Sequence, residues 1–155
     1  MTDAADLPAA LAATPEPVVQ SLLTGREFTA DALVDRDGAV VAVAPRWRLE
    51  TKAGISTKGQ TFDDPAVVEA VTRVLTELKL VGPANVQGFV ADDGTVMVHE
   101  VNPRFSGGLP LTLHAGAELV EEYLRAVLGR PMRRERLLAK PGVSMYRHLT
   151  EVFEG

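Results

Sequence analysis

Polar and apolar residues alternate along two segments, 85–91 and 95–102, which flank Asp92-Asp93-Gly94. Such alternation is typical of half-buried strands, and an Asp-Gly pair between two of them indicates a β-hairpin. We therefore predict a hairpin closed by the two-residue loop Asp93-Gly94. One face of it would be mostly apolar and belong to the core, with Val86, Gly88, Val90, Met97, His99 and Val101.

The other face of this hairpin gathers polar side chains. Counting back from the loop places Asn85 opposite Asn102 and Gln87 opposite Glu100, and Arg104 extends the row beyond the strand. Oxygen ligands from adjacent strands suit a hard cation such as Mg²⁺, and a guanidinium suits a phosphate or a carboxylate. The same pattern is also typical of the solvent-facing side of an ordinary hairpin, so alternation alone leaves both interpretations open.

A second hairpin is predicted from segments 28–34 and 39–44, with Asp37-Gly38 as its two-residue loop. This loop would place Asp31 opposite Ala44. Residues 51–61, which contain two glycines and two lysines, are interpreted as a loop that does not match the Walker sequence.

Apolar residues at helical spacing predict an amphipathic helix over 65–78 and another over 118–128, and a short helix is predicted over 3–13. Brief strands are expected at 18–20 and 143–149. The predicted fold class is α+β, a mainly antiparallel sheet of two hairpins with helices on one face.

Composition narrows the possible functions. The 155 residues carry a net charge of −5, which gives no basic surface for nucleic acid, and they include no cysteine. Four arginines between residues 130 and 136 are expected to be solvated. No apolar run is long enough to cross a membrane, and the acidic N-terminus lacks the basic start of a signal peptide. We therefore expect a cytoplasmic protein that binds neither nucleic acid nor membrane.

The polar row and the residues after it resemble the hairpin that binds metal and ATP in the ATP-grasp superfamily. The pattern Asn85-Val-Gln87 followed by Glu100-Val-Asn102-Pro-Arg104 is most similar to the large subunit of carbamoyl phosphate synthetase and related carboxylate–amine ligases. The resemblance implies that Gln87, Glu100 and Asn102 coordinate Mg²⁺ or Mn²⁺ on the ATP phosphates. It also implies that Arg104 contacts phosphate or acyl-phosphate oxygens. This chain has Gly107-Gly108 where the family often has serines, which leaves the acceptor substrate open.

The resemblance extends upstream to the segment that would bind the nucleotide. It implies that Leu22 contacts adenine through its backbone, that Gln20 offers the nucleotide a hydrogen-bond partner, and that Glu27, seven positions after Gln20, binds the ribose hydroxyls. The family pattern prefers glutamate where this chain has Gln20. Lys58 is a candidate phosphate contact, and a solvated loop lysine is the alternative.

The same resemblance implies a division of the chain and an activity. Residues 1–17 would be a helix and linker that end a missing upstream lobe, and residues 18–155 would be the C-terminal ATP-grasp subdomain. The chain would then be a fragment, a split-enzyme subunit or a truncated gene product, completed by a second chain or by self-association. The implied activity is ATP-dependent activation of a small-molecule carboxylate as an acyl phosphate, which an amine then attacks. The alternative is a non-catalytic nucleotide-binding or assembly module.

Overall fold

A computed structural model of the chain describes residues 4–148 and 150–155. The strands are β1 (Arg26–Val34), β2 (Val40–Lys52), β3 (Ile55–Thr61), β4 (Gly82–Val90), β5 (Val96–Asn102) and β6 (Ser144–Tyr146). The α-helices are α1 (Leu7–Ala13), α2 (Pro65–Glu77), α3 (Leu109–His114) and α4 (Leu119–Val127). Short 3₁₀ turns cover Ala4–Asp6 and Arg134–Arg136.

The strands form one antiparallel sheet in the order β5-β4-β1-β2-β3-β6. This confirms the predicted α+β class. The sheet contains a third hairpin that the sequence analysis missed, because β2 continues to Lys52 and turns at Ala53-Gly54 into β3. The interpretation of residues 51–61 as a loop was therefore wrong.

Both predicted hairpins form, but each loop has three residues rather than two. In both loops the amide of a glycine donates to the carbonyl three residues earlier, Gly38 to Asp35 and Gly94 to Ala91. These glycines have φ values of 83° and 84°, the left-handed conformation that closes such a loop. Each hairpin then contains a β-bulge, between Leu33 and Val34 and between Gln87 and Gly88, which shifts its register by one residue.

Helix α2 covers one face of the sheet. Asp64 caps this helix by accepting a hydrogen bond of 2.9 Å from the amide of Ala66, as the Asp-Asp-Pro sequence predicts. Its apolar stripe packs on alternate residues of β1 and β4 to form the larger core cluster. The fully or almost fully buried members are Phe28, Ala30, Ala32, Val34, Val67, Val71, Leu75, Ala84 and Val86.

The second face of the sheet is also covered, at one end, by α3, α4 and the segment after them. Leu33 of β1 and Ala42 of β2 point to this side and pack against Ala117, Leu119 and Leu137. The prediction of helices on one face only was therefore wrong. Leu33 lies between core residues of the first face, so β1 is buried on both sides from Phe28 onward, including its polar residues Thr29 and Asp31.

Several local predictions differ from the structure. No strand forms at 18–20, where the chain is irregular and exposed, and the last strand covers three residues of the predicted 143–149. The helix predicted from residue 3 begins at Leu7 after a 3₁₀ turn, and residues 3 and 149 lie outside the described part of the chain. Among the described residues, no helix has the length and apolarity that crossing a membrane requires.

Three of the four arginines after α4 are paired with carboxylates rather than simply solvated. Arg133 binds Glu121 and Glu122, Arg136 binds Glu118, and Arg134 lies 3.6 Å from Asp35. Glu122 is fully buried, a position that the predicted apolar stripe of this helix did not include. These contacts attach the segment after α4 to the helix.

Candidate functional site

The predicted polar row forms on the sheet face opposite α2. Asn85 lies opposite Asn102, and Gln87 lies opposite Glu100, as the sequence pattern predicts. Strand β1 adds Thr29 beside Gln87 in the same row. The four paired amide and carboxylate side chains therefore project from two adjacent strands onto one face.

The bulge in β5 explains why these pairs are correct although the loop is one residue longer than predicted. Gln87 pairs with Glu100, whereas Gly88 pairs with Val98, so His99 is the extra residue. Val98 consequently packs on the core, and Met97 lies opposite Phe89 on the polar side. The prediction that Met97 and His99 face the core was wrong, and His99 is exposed with its ring 5.6 Å from that of Phe89.

Each predicted metal ligand has a polar partner on the same face of the sheet. Glu100 Oε1 accepts a hydrogen bond of 2.7 Å from Asn102 Nδ2. Gln87 Oε1 accepts one of 2.7 Å from Arg48 Nη1. One carboxylate and two amide groups on neighbouring positions are an all-oxygen donor set, which is the chemistry that Mg²⁺ and Mn²⁺ prefer. The donor set therefore fits a hard divalent cation.

Two of the predicted nucleotide residues, Gln20 and Leu22, lie beside the metal row. Together with Phe89, His99 and Glu100 they line a surface cleft of about 640 Å³. Leu22 is 90% exposed, so this side of the cleft is open. The structure thus brings the two hinge residues next to one end of the predicted metal site.

The third predicted nucleotide residue, Glu27, is bound by Arg48. The same Arg48 Nη1 group lies 2.5 Å from Glu27 Oε1 and 2.7 Å from Gln87 Oε1. One guanidinium therefore links the residue predicted to bind ribose with a residue predicted to bind metal.

The remaining two predicted residues lie in different places. Arg104 follows β5 and lines a second pocket, and its Nη1 donates to the carbonyl of Phe105, at 3.0 Å. Lys58 is half-exposed on β3 and pairs with Glu50 at 2.6 Å.

A buried polar network continues from Asn85 and Thr29 of the row, and its further members were not predicted as site residues from the sequence. Asp31 accepts hydrogen bonds of 2.7 Å from both Arg46 Nη1 and Thr112 Oγ1, and Asn85 Nδ2 donates to Thr29 Oγ1 at 2.6 Å. Arg46 also donates to Ser106 Oγ at 2.7 Å. Period-two spacing of Arg46 and Arg48 on either side of Trp47 was the available signal, since it places both guanidinium groups on one face.

Another group of carboxylates, Glu118, Glu121 and Glu122, lies close enough together to hold a cation. However, Arg133 and Arg136 bind all three of them. The interaction with Arg136 lowers the pKa of Glu118 below its ordinary value. These carboxylates therefore act as ion-pair partners of the segment after α4.

Comparison with known protein families gives a match over most of the chain. Residues 13–151 match the family described as ATP-grasp in the biosynthetic pathway with Ter operon. The chain belongs to the ATP-grasp family. The resemblance drawn from the Gln87, Glu100, Asn102 and Arg104 pattern is thereby confirmed at the level of the family.

Two of the relatives that the chain matches are synthases. The chain is 38% identical over 77 residues to N5-carboxyaminoimidazole ribonucleotide synthase of Bacillus subtilis, a match covering 48% of the chain and 20% of that protein. It is 28% identical over 127 residues to the carbamoyl phosphate synthase large chain of Thermoanaerobacter pseudethanolicus, covering 75% and 12% respectively. The chain spans only a fifth or less of the length of these two relatives.

Solved structures support the fold. One match is the biotin carboxylase domain of a single-chain bacterial carboxylase, with a TM-score of 0.70 and 20% identity. The match covers 91% of this ATP-grasp chain and 34% of the carboxylase chain. Another match is N5-carboxyaminoimidazole synthetase from Staphylococcus aureus in a complex with ADP, with a TM-score of 0.60 and 16% identity. The match covers 74% of this chain and 32% of the synthetase chain. At these identities the likeness concerns the fold alone.

Proposed function

We propose that this chain is the ATP- and Mg²⁺-binding half of an ATP-grasp ligase that activates a carboxylate for attack by an amine. The observation that carries the proposal is the register of β4 and β5, which sets Gln87 opposite Glu100 and Asn85 opposite Asn102 on one face. Family membership and the synthase relatives support the ligase class. The metal row and the cleft of Gln20 and Leu22 share Glu100, so a nucleotide in the cleft would present its phosphates to the row.

Adenine would occupy the cleft between the hinge segment and Phe89, where apolar ring surface is available for stacking. Gln20 and the backbone near Leu22 would supply polar contacts. Glu27 would accept hydrogen bonds from the ribose hydroxyls. Because Arg48 binds the Glu27 carboxylate, ribose binding would have to share Glu27 with Arg48 or displace it.

Gln87, Glu100 and Asn102 would hold the divalent cation through their oxygen atoms. When bound, the cation would supply charge neutralisation for the β- and γ-phosphate oxygens of ATP. The Asn102 and Arg48 side chains that now bind Glu100 and Gln87 would then release these oxygens. Manganese would be accepted by the same donor set.

In the proposed reaction, an oxygen of the substrate carboxylate attacks the γ-phosphorus, the bond to the β-phosphate oxygen breaks, and ADP leaves. The amine then attacks the acyl carbon of the acyl phosphate, the C–O bond to phosphate breaks, and inorganic phosphate leaves with its electrons, while the proton that the amine nitrogen loses passes to the phosphate or to solvent. Arg104 would stabilise the negative charge of the transferring group, since its guanidinium has no carboxylate partner among the described residues. Lys58 would bind a phosphate only if its ammonium group left the Glu50 carboxylate, so its role as a phosphate contact requires that this ion pair breaks.

The polar row lies on an exposed part of the sheet, so the proposed chemistry needs a second lobe to exclude water and position both substrates. Such a lobe would come from the same polypeptide, from another chain or from a second copy. The division into a linker, residues 1–17, and a C-terminal subdomain, residues 18–155, is part of this proposal. A cytoplasmic location, where ATP is abundant, is also part of it.

Calorimetric titration of magnesium–ATP into the wild-type chain and into Glu100→Gln tests the metal row. This near-isosteric change removes the single carboxylate of the row, so binding should weaken at least tenfold in magnesium while the circular dichroism spectrum stays the same. Glu77→Gln, at the exposed end of α2, is the matched control and should bind as wild type does. Equal affinity of wild type and Glu100→Gln would overturn the assignment.

A further inference from the structure

Arg48 reaches from β2 across β1 to the metal row on β4. Phe28 of β1 pairs with Trp47 of β2, and both pack in the core beneath α2. The neighbouring positions, Glu27 and Arg48, therefore face each other on the polar side of the sheet. Gln87 lies on β4, which is the strand beyond β1 in the sheet order. Two strand spacings are about 10 Å, a distance that a long side chain such as arginine can cross.

A single nitrogen of Arg48 binds both the proposed ribose residue and a proposed metal ligand. Nη1 donates one hydrogen bond of 2.5 Å to Glu27 Oε1 and another of 2.7 Å to Gln87 Oε1, which uses both of its hydrogens. Nη2 donates to the carbonyl of Gly54 at 3.0 Å, and this contact holds the guanidinium from the other side. We call Arg48 with its bonds to Glu27 and Gln87 the Arg48 bridge.

Ligands can reach the Arg48 bridge at both of its ends. The side chains of Arg48 and Glu27 are 10% and 28% exposed, and Gln87 is half-buried. Glu27 pairs with Phe89, which lines the cleft proposed for adenine. A nucleoside in that cleft would therefore lie beside the Glu27 end of the bridge, and a cation in the metal row would lie at the Gln87 end.

Without a nucleotide, the bridge places a positive charge at an atom that a metal ion needs. Gln87 Oε1 accepts its hydrogen bond from the Arg48 guanidinium, and Glu100 is the single carboxylate of the metal row. Like charges at short range in a partly buried position repel each other strongly. Binding of a free divalent cation to the row is therefore opposed until Arg48 releases Gln87.

We propose that the Arg48 bridge closes the metal row while the nucleotide cleft is empty, and that ribose binding at Glu27 opens it. This inference rests on the proposed function, because it takes Glu27 as the ribose residue and Gln87 as a metal ligand. Ribose hydroxyls and a divalent cation would each displace the same guanidinium. The ligand that binds first bears that cost, so the second binds more tightly, and the coupling is reciprocal. The metal would consequently enter the row together with a ribonucleotide rather than before it.

The test measures Mn²⁺ binding to the full 155-residue chain by electron paramagnetic resonance, which determines the free Mn²⁺ concentration. Adenosine is the probe, because it has the ribose hydroxyls but no phosphate that could bind the ion directly. Adenosine at a concentration that saturates its own binding should tighten Mn²⁺ binding at least about fivefold. Saturating 2′,3′-dideoxyadenosine, which lacks both hydroxyls, should leave the Mn²⁺ affinity unchanged. An equal effect of the two nucleosides, or no effect of adenosine, would overturn the proposal without depending on any variant.

Arg48→Met removes the bridge and keeps a long side chain at this position. The variant should bind Mn²⁺ at least about fivefold more tightly than wild type in the absence of nucleoside, and adenosine should no longer change its affinity. A purely structural role of Arg48 would not produce tighter binding. Arg130→Met, at an exposed arginine outside the cleft, removes the same charge and should keep both the wild-type affinity and the adenosine effect. Equal or weaker Mn²⁺ binding by Arg48→Met would contradict the proposal.

Failure of the bridge can be distinguished from failure of the proposed function. If only the bridge is wrong, Glu100→Gln will still lose magnesium–ATP binding, while Arg48→Met will show no gain in Mn²⁺ affinity. If Glu100→Gln binds magnesium–ATP as wild type does, and the Mn²⁺ affinity of Arg48→Met does not depend on Glu100, both proposals are overturned. A gain in Arg48→Met that disappears when Glu100→Gln is added supports both.

Discussion

Arg46 and Asp31 form an ion pair of 2.7 Å between side chains that are only 3% and 2% exposed. The pair connects β1 with β2, and Thr112 of α3 donates to the same Asp31 oxygen. It therefore fixes the position of α3 relative to the sheet and holds Arg46 in the pocket that Arg48 and Arg104 also line.

Replacing Asp31 with alanine should destabilise the chain by about 3–5 kcal/mol, because the buried Arg46 charge would lose its compensation. Urea unfolding measures this change. Asp92→Ala, in an exposed loop, is the control and should change the free energy of unfolding by less than about 0.5 kcal/mol. Similar stabilities of the two variants would show that Arg46 is not held by Asp31.

Because of the β-bulge at His99, we predict that aspartate substitutions at two neighbouring residues differ in how much they destabilise the chain. Val98→Asp should cost roughly 1–3 kcal/mol, because Val98 packs against the core beneath α2. Met97→Asp should cost less than about 1 kcal/mol, because Met97 lies opposite Phe89 on the polar side. Urea unfolding of both variants gives the two free energies of unfolding. A larger loss for Met97→Asp than for Val98→Asp would mean that the strand has no bulge.

This strand also shows what could be predicted from the sequence. The pairing of Gln87 with Glu100 follows from alternation, and the prediction is correct because one extra loop residue and one bulged residue offset each other. Alternation does not distinguish a two-residue loop from a three-residue loop followed by a bulge, since both contain Asp-Gly. The face of Met97 and His99 was therefore predicted wrongly, although the site pairs were predicted correctly.

Other features depend on contacts that are distant along the chain. The continuous burial of β1 from Phe28 onward indicates a strand covered on both faces, yet nothing local specifies that Leu33 meets Leu119 and Leu137. Similarly, the alternation of Arg46 and Arg48 is visible in the sequence. The partners of Arg46, Asp31 and Ser106, lie 15 and 60 residues away, so this buried network emerges only from the fold.

Glu122 should make stability depend on pH in the acidic range. Burial of this carboxylate would raise its pKa, but the hydrogen bonds from the Arg133 amide and guanidinium, with the charges of Arg133 and Arg125, bring the pKa below its ordinary 4.5. The contribution is therefore fully present above pH 4.5 and is lost as the pH falls through the lower folded pKa. The interaction between Glu122 and Arg133 connects α4 with the segment after it.

Glu122→Gln should reduce the free energy of unfolding by about 1.5–3 kcal/mol at neutral pH, through loss of charged hydrogen bonds. The difference between this variant and the wild type should shrink as the pH falls below 4.5. Urea unfolding of both proteins across this range measures the difference. A difference that stays constant with pH would show that the Glu122 charge does not contribute.

A thermal melt of the chain with magnesium alone, and with magnesium plus ATP, tests the central claim most directly. At about 100 times its dissociation constant a ligand adds about 2.7 kcal/mol, which for a chain of this size raises Tm by roughly 5–11 °C. The account predicts such a rise with ATP in the wild type and its loss in Glu100→Gln. Equal melting temperatures with and without ATP in the wild type would contradict a nucleotide site on this sheet.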